Sequence, residues 1–200
     1  DVERSRGLGD VYKRQLMTQA NNQDMLLIPD PSALLTTLSD QTYIGAYVPH
    51  NLVLMSDIHR LKYAMYLNND AYEALKKMID AMPNEIANDF YVREAYTSFT
   101  DLQYSNPNLA GKDERQLGHT VSIASKSIAY HEFETAALSQ WLEAHSYEYG
   151  FILRYPKRMA SSTNHVYDAH YYRYVGKKNA NKIYKENSCI EEYNQKEAAE

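Results

Sequence analysis

The sequence predicts a single α+β domain in which helices flank a small antiparallel sheet. Segments with helical periodicity and segments typical of strands interleave along the 200 residues. The last two predicted strands, 151–155 and 171–175, are joined by a loop too short for a crossover helix, which favours antiparallel pairing. A chain of this length suffices for one domain with its own core.

Composition excludes several classes of protein. Hydrophobic residues make up 44% and charged residues 24%, as in soluble globular proteins, and no apolar run approaches the roughly 18 residues of a transmembrane helix. The net charge of −5, from 21 basic and 26 acidic residues, argues against nucleic acid as a partner. Cys189 is the only cysteine, which rules out an internal disulfide. The 19 tyrosines, against 4 phenylalanines, suggest wet pockets or broad polar surfaces.

The first 15 residues differ in character from the rest. They have no helical or strand periodicity, and residues 7–15 resemble translated adapter sequence at the ends of metagenomic fragments. We expect residues 1–15 to be non-native or disordered and residues 16–200 to form the domain. The native N-terminus, with any signal peptide or anchor, is then missing.

The first half of the domain contains one clear helix. An apolar run at 25–28 reads as a strand or extended arm that stops at Pro29. The helix begins near Asp70, which has capping-box spacing to Glu73, and it ends at Pro83. Its predicted apolar face consists of Ala71, Ala74, Leu75, Met78, Ile79 and Met82.

The second half alternates strands with helices. Aromatic and β-branched residues predict a strand at 90–96, and alternation predicts another at 121–124. An apolar face predicts a helix over 133–142 that closes before Gly150. After the strand at 151–155, a loop leads to a strand that ends at Gly176, and a short helix runs through 180–184.

Three stretches carry a resemblance to a known family. Trp141-Leu142 is followed by residues 149–156, which read Tyr-Gly-Phe-Ile-Leu-Arg-Tyr-Pro; the others are 114–123 and 167–176. Together they resemble the VanY-type zinc D-alanyl-D-alanine carboxypeptidases of bacterial cell walls, over about residues 25–195. The resemblance implies the VanY- and hedgehog-like fold and a location at the cell envelope or outside the cell.

The sequence differs from that family at the positions that the family uses for zinc binding and catalysis. The resemblance implies three zinc-ligand positions, occupied here by Arg115, Ser122 and Tyr171, and a general-base position occupied by Asp168. Thr97 stands where the family has an arginine. An arginine stays protonated and a neutral hydroxyl is a poor zinc ligand, so we expect no metal. The expected substrate pocket comprises Thr97, Ser98, Arg115 and His170.

Other uses of these residues stay open. A relocated zinc site would draw on five histidines, and Ser122 could act as a nucleophile, although no nucleophile elbow surrounds it. The tyrosines at 167, 171, 172 and 174 could form a binding shelf or simply alternate on one strand. We also predict an ion pair between Arg115 and Asp168. The five histidines are His119, His131, His145, His165 and His170.

The sequence therefore predicts a catalytically inactive relative of these peptidases that needs no cofactor. Its predicted partner is a peptidoglycan stem peptide or an envelope protein. The alternative is an active zinc D,D-carboxypeptidase, which would need zinc. A third possibility is a structural interaction protein whose cleft is closed.

Overall fold

A computed structural model describes residues 26–39, 41–62 and 64–199, so the predicted segment 1–15 lies outside the described residues. In these residues a four-stranded sheet has the order β5-β6-β8-β7, and every neighbouring pair is antiparallel. This confirms the predicted fold class. The strands are β1 Leu26–Leu27, β2 Thr42–Tyr43, β3 Leu52–Leu54, β4 Tyr66–Asn68, β5 Phe90–Glu94, β6 Thr120–Ser125, β7 Phe151–Tyr155 and β8 Asp168–Tyr174.

Helices pack against one face of this sheet in the main hydrophobic core. The predicted helix 133–142 is instead a 3-10 segment, Tyr130–Thr135, followed by an α-helix, because Ala136 between them is extended. None of the described helices is long and apolar enough to cross a membrane. The α-helices are α1 Asn69–Asp80, α2 Asn84–Asp89, α3 Phe99–Ser105, α4 Ala137–His145, α5 Ala160–Thr163, α6 Lys177–Glu186 and α7 Ile190–Glu197.

Helix α1 lies where the periodicity predicts it, but its cap differs. The side chain of Asn68 accepts a hydrogen bond of 2.9 Å from the backbone N–H of Asp70. The predicted cap at Asp70 is therefore wrong, since the side chain of Asn68, two residues earlier, satisfies the free backbone donor. The helix buries Ala71, Leu75 and Met78 against the sheet.

The two faces of the sheet differ in chemistry. Val92, Ile123 and Tyr172 point to one face and pack in the main hydrophobic core. Successive side chains of a strand point to opposite faces of the sheet. The residues next to these core residues in the sequence, many of them polar, therefore point to the second face. This second face carries the site described next.

Candidate functional site

A row of directly opposed residues crosses three strands on the polar face. Glu94 on β5 pairs with Ser122 on β6, and Ser122 pairs with Tyr171 on β8. Residues directly opposite each other in antiparallel strands share a face. The 3-10 segment Glu114–Leu117 precedes β6 and brings Arg115 to Glu94 in this row. The structure thus gathers Arg115, Ser122 and Tyr171 in one place.

Two carboxylates hold the guanidinium of Arg115. Its Nε donates to both oxygens of Asp113, at 3.0 and 3.1 Å, its Nη2 lies 2.5 Å from Asp113 Oδ2, and its Nη1 donates to Glu94. Burial alone would lower the pKa of Arg115, but the hydrogen bonds to Asp113 and the nearby charges raise it above its usual value. Arg115 is therefore a fixed cation whose charge is compensated by Asp113 and Glu94.

The predicted ion pair between Arg115 and Asp168 is wrong. The ion pairs of Arg115 are with Glu94 and Asp113, and none with Asp168 forms among the described residues. The physical reason is local: Asp113 caps the 3-10 segment, where its carboxylate also accepts from the backbone N–H of Arg115 at 2.8 Å. That carboxylate is only two residues from Arg115, so it captures the guanidinium.

Beside this group lies a cavity of about 460 Å³, which we call the cleft. On one wall the ring of Tyr155 stacks on His165 at 3.8 Å and on Tyr171 at 5.4 Å between centroids. The hydroxyl of Tyr171 donates to Asp113 at 3.4 Å. The lining residues are Leu38, Ser39, Glu94, Leu109, Lys112, Asp113, Glu114, Arg115, Tyr155, Thr163, Asn164, His165, Asp168 and Tyr171.

Asp168, which the resemblance places at the general-base position, begins β8 and lines the cleft. Its Oδ1 accepts a hydrogen bond of 2.9 Å from the backbone N–H of His170, which fixes the carboxylate. Its Oδ2 has no hydrogen-bond partner among the described residues. This carboxylate therefore keeps acceptor capacity for a ligand.

Two of the expected pocket residues lie elsewhere. The hydroxyl of Thr97 donates to the carbonyl of Ala95 at 3.3 Å. Ser98 caps helix α3, where its Oγ accepts from the backbone N–H of Asp101 at 3.1 Å. Neither Thr97 nor Ser98 is among the residues that line the cleft. Local capping chemistry accounts for Ser98.

His170 also fails to line the cleft. Its ring is buried, stacked on Tyr130 at 3.7 Å and on Phe133 at 4.3 Å. Nδ1 lies 2.6 Å from the carbonyl oxygen of Ile123, and Nε2 lies 2.9 Å from that of Tyr130. The expectation that His170 contributes to the pocket is therefore not supported, since backbone carbonyls engage both nitrogens.

The structure also bears on His119, one of the five candidate zinc ligands, and on the possible tyrosine shelf. His119 is buried, and burial, reinforced by the charge of Arg173, lowers its pKa to about 3. It does not line the cleft. Of the four tyrosines of the possible shelf, Tyr171 lines the cleft while Tyr172 is fully buried in the core. Strand alternation thus separates these two neighbours.

The donor groups at the three ligand positions do not fit a zinc ion. The guanidinium of Arg115 has no lone pair to give, and the hydroxyl of Ser122 is neutral. Burial raises the pKa of the Tyr171 phenol well above its usual value, so this group stays protonated. Among the described residues, no group of three or more His, Cys, Asp or Glu side chains could hold a metal ion.

Behind the cleft lies a buried charge cluster of Glu114, Arg154, Arg173 and Glu191. Arg154 donates to Glu114 at 2.8–3.1 Å and to Glu191 at 2.5 and 3.0 Å, and Arg173 Nη1 lies 3.6 Å from Glu114. Burial alone would raise the pKa of Glu114, but the two arginines hold it below its usual value. Sequence spacing does not reveal this cluster, although Glu114, Arg154 and Arg173 lie in the three matched stretches.

Residues 33–39, which we call the strap, contribute Leu38 and Ser39 to the lining of the cleft. Arg173 Nη2 donates to the carbonyls of Leu34 at 3.2 Å and Thr36 at 3.5 Å. Asn194 donates to the carbonyl of Leu35 at 3.0 Å. The backbone N–H of Leu38 donates to Glu114. The buried charge cluster therefore positions one wall of the cleft.

Comparisons with known proteins agree with this architecture. The family model described as VanY, D-alanyl-D-alanine carboxypeptidase, matches residues 101–177. YodJ of Bacillus subtilis, a carboxypeptidase by name, is 28% identical over 191 residues, covering 84% of this chain and 70% of YodJ. A D-alanyl-D-alanine carboxypeptidase of Enterococcus faecalis is 34% identical over 124 residues, covering 61% of this chain and 44% of that protein.

Solved structures show the same fold. The LdcB LD-carboxypeptidase superposes with a TM-score of 0.76 at 27% identity, covering 86% of this chain and 90% of that one. The vancomycin-resistance D,D-pentapeptidase VanY, in complex with Zn(II), superposes with a TM-score of 0.64 at 25% identity, covering 82% and 99%. The four-stranded sheet and its flanking helices therefore follow a known peptidase scaffold.

Proposed function

We propose that the chain is a catalytically inactive relative of the VanY-type D-alanyl-D-alanine carboxypeptidases, which it resembles in sequence and fold, and that it binds peptidoglycan stem peptides. Binding takes place in the cleft, at the bacterial cell envelope. The observation that carries the proposal is the double ion pair of Arg115 with Glu94 and Asp113. At a zinc-ligand position of the family, this chain has a cation held by two carboxylates.

The substitutions at the three ligand positions act together. Arg115 places positive charge where a zinc ion would need a donor, and neither Ser122 nor Tyr171 offers an anionic ligand. A metal entering beside Arg115 would face electrostatic repulsion as well as a poor donor set. Loss of the metal removes the group that would lower the pKa of a bound water, and with it the family's hydrolysis.

The cleft itself is retained. Its volume of about 460 Å³ falls within the roughly 300–1,000 Å³ of small-molecule sites. Polar and aromatic side chains line it, as suits a peptide with amide and charged groups. This favours a binding role over a structural protein with a closed cleft.

Metal content and turnover test the loss of catalysis. We expect the purified protein to contain no stoichiometric zinc after incubation with the metal, and to release no D-alanine from a stem-peptide analogue that ends in D-alanyl-D-alanine. The control is the triple variant Arg115→His, Ser122→Asp and Tyr171→His, which should bind about one zinc per chain. Stoichiometric zinc in the unsubstituted protein with chelator-sensitive release of D-alanine would overturn the proposal.

Binding is tested separately, by calorimetry with the same stem-peptide analogue. We expect saturable binding without added metal. A protein that neither binds the analogue nor cleaves it would have a structural role instead.

A further inference from the structure

We propose that the cleft recognises its ligand through a positively charged amino group, which the free oxygen of Asp168 binds. This inference rests on the proposed function, because it concerns the same cleft, and it names the part of the stem peptide that is recognised. A lysine-type side chain in the peptide has the required chemistry.

The charges of the cleft favour a cation. Four carboxylates line it, from Glu94, Asp113, Glu114 and Asp168, against the two cations Lys112 and Arg115. The charge of Glu114 is compensated from behind by the arginines of the buried charge cluster. Of the remaining lining charges, three are negative and two positive. A ligand carboxylate therefore meets an excess of negative charge, whereas an ammonium group is attracted.

Arg115 is not available to a ligand carboxylate. Its Nε, Nη1 and Nη2 all donate to Asp113 or Glu94, and its side chain is only 19% exposed. To grip an anionic ligand it would have to leave two carboxylates that are themselves partly buried. This costs more than a single new ion pair returns.

Asp168 offers the complementary anion. One oxygen is fixed by the backbone N–H of His170, and the other has no described partner on a wall of the cavity. An ammonium group carries three donors and can satisfy that oxygen in a charge-assisted hydrogen bond.

The aromatic wall suits the rest of such a ligand. The stacked rings of Tyr155 and Tyr171 lie on the same cavity as Asp168. The methylene groups of a lysine-type side chain can pack on these rings while the ammonium group reaches the carboxylate. The cavity thus has aromatic rings for the methylene groups of a lysine-type side chain and a carboxylate for its ammonium group.

The test compares two matched peptides by calorimetry: Nα-acetyl-L-lysyl-D-alanyl-D-alanine with a free ε-amino group, and the same peptide acetylated on that group. We expect the free amine to bind about tenfold more tightly or better, as a charge-assisted hydrogen bond implies. The Asp168→Asn variant keeps the size of the side chain and should lose this preference. Asp57→Asn, a change of an exposed carboxylate that does not line the cleft, should keep it.

Each outcome decides between the two proposals. Equal binding of the two peptides by the unsubstituted protein overturns the amine inference but leaves stem-peptide binding intact. A preference for the free amine that survives Asp168→Asn overturns the assignment to Asp168. Absence of binding by both peptides overturns the proposed function together with this inference.

Discussion

Two arginines of this molecule are each held by two carboxylates, in different surroundings. Arg154 binds Glu114 and Glu191 in the interior and is 1% exposed. Arg115 binds Asp113 and Glu94 on the wall of the cleft and is 19% exposed. Arg154 lies in a stretch that matches the peptidase family, whereas Arg115 occupies a position to which the family resemblance assigns a zinc ligand.

The difference shows what each cation does. A buried guanidinium keeps its carboxylate partners from standing uncompensated in a low-dielectric interior, so it is part of the scaffold. A guanidinium at a cavity wall sets the electric field that a ligand meets. Similar bonding therefore supports the fold at one site and shapes recognition at the other. Substitutions at each arginine and at nearby residues separate these roles.

Arg154→Met should cause the largest loss of stability, about 3–5 kcal/mol, because it leaves Glu114 buried with Arg173, at 3.6 Å, as its remaining cationic partner. Urea unfolding followed by circular dichroism measures the change. The matched control is Lys157→Met, which removes an exposed pair with Glu134 and should cost at most about 1 kcal/mol. Equal losses in the two variants would contradict the scaffold role of Arg154.

His119→Leu should remove a pH-dependent loss of stability that amounts to about 2 kcal/mol at pH 5. Burial holds the pKa of His119 in the folded protein at about 3, well below the usual 6.5 of a histidine. As pH falls from 6.5 towards 3, the unfolded chain takes up a proton that the folded protein cannot, so stability is lost across this window. Leucine does not titrate, and that loss should disappear.

Unfolding curves between pH 7 and pH 4 measure this effect. Acid stability is expected to decline less steeply in His119→Leu than in the unsubstituted protein. Parallel declines in the two proteins would show that His119 is protonated in the folded state.

Arg115→Met should cost less than Arg154→Met, about 1–2 kcal/mol, because water can solvate the partly exposed Glu94. Asp113 keeps its hydrogen bonds from the backbone N–H of residue 115 and from the hydroxyl of Tyr171. Urea unfolding measures the change. The ranking of the two arginines is the informative result. A loss for Arg115→Met as large as that for Arg154→Met would place Arg115 in the scaffold.

Ser98→Ala should cost about 1 kcal/mol through loss of the cap of helix α3. Stem-peptide affinity should not change, since Ser98 does not line the cleft. Thermal unfolding and calorimetry measure the two quantities on one sample. A large loss of affinity at unchanged stability would return Ser98 to the substrate pocket.

The scaffold could be predicted from the sequence because its signals are local or motif-based. The strand Phe151–Tyr155 and the helix Asn69–Asp80 lie where periodicity and proline stops predict them. The convergence of Arg115, Ser122 and Tyr171 followed from the family resemblance, and strand register and ion pairing bring these residues together.

The partners of Arg115 could not be predicted in the same way. Glu94 reaches it only through pairing of β5 with β6, which no sequence spacing reveals. Asp113 reaches it because a 3-10 cap turns the carboxylate back on the chain. The cap at Asn68 was missed for a similar reason, since several polar residues near a helix start can compete for one free backbone donor.

The strap makes the cleft dependent on both ends of the domain. Its carbonyls accept hydrogen bonds from side chains 139 and 159 positions later in the sequence. Contacts between residues so far apart in the sequence form slowly, because the long intervening chain loses conformational entropy before the contact forms. During synthesis this wall of the cleft can be completed only after Asn194 has left the ribosome, so a nascent chain gains its binding site among the last features of the fold.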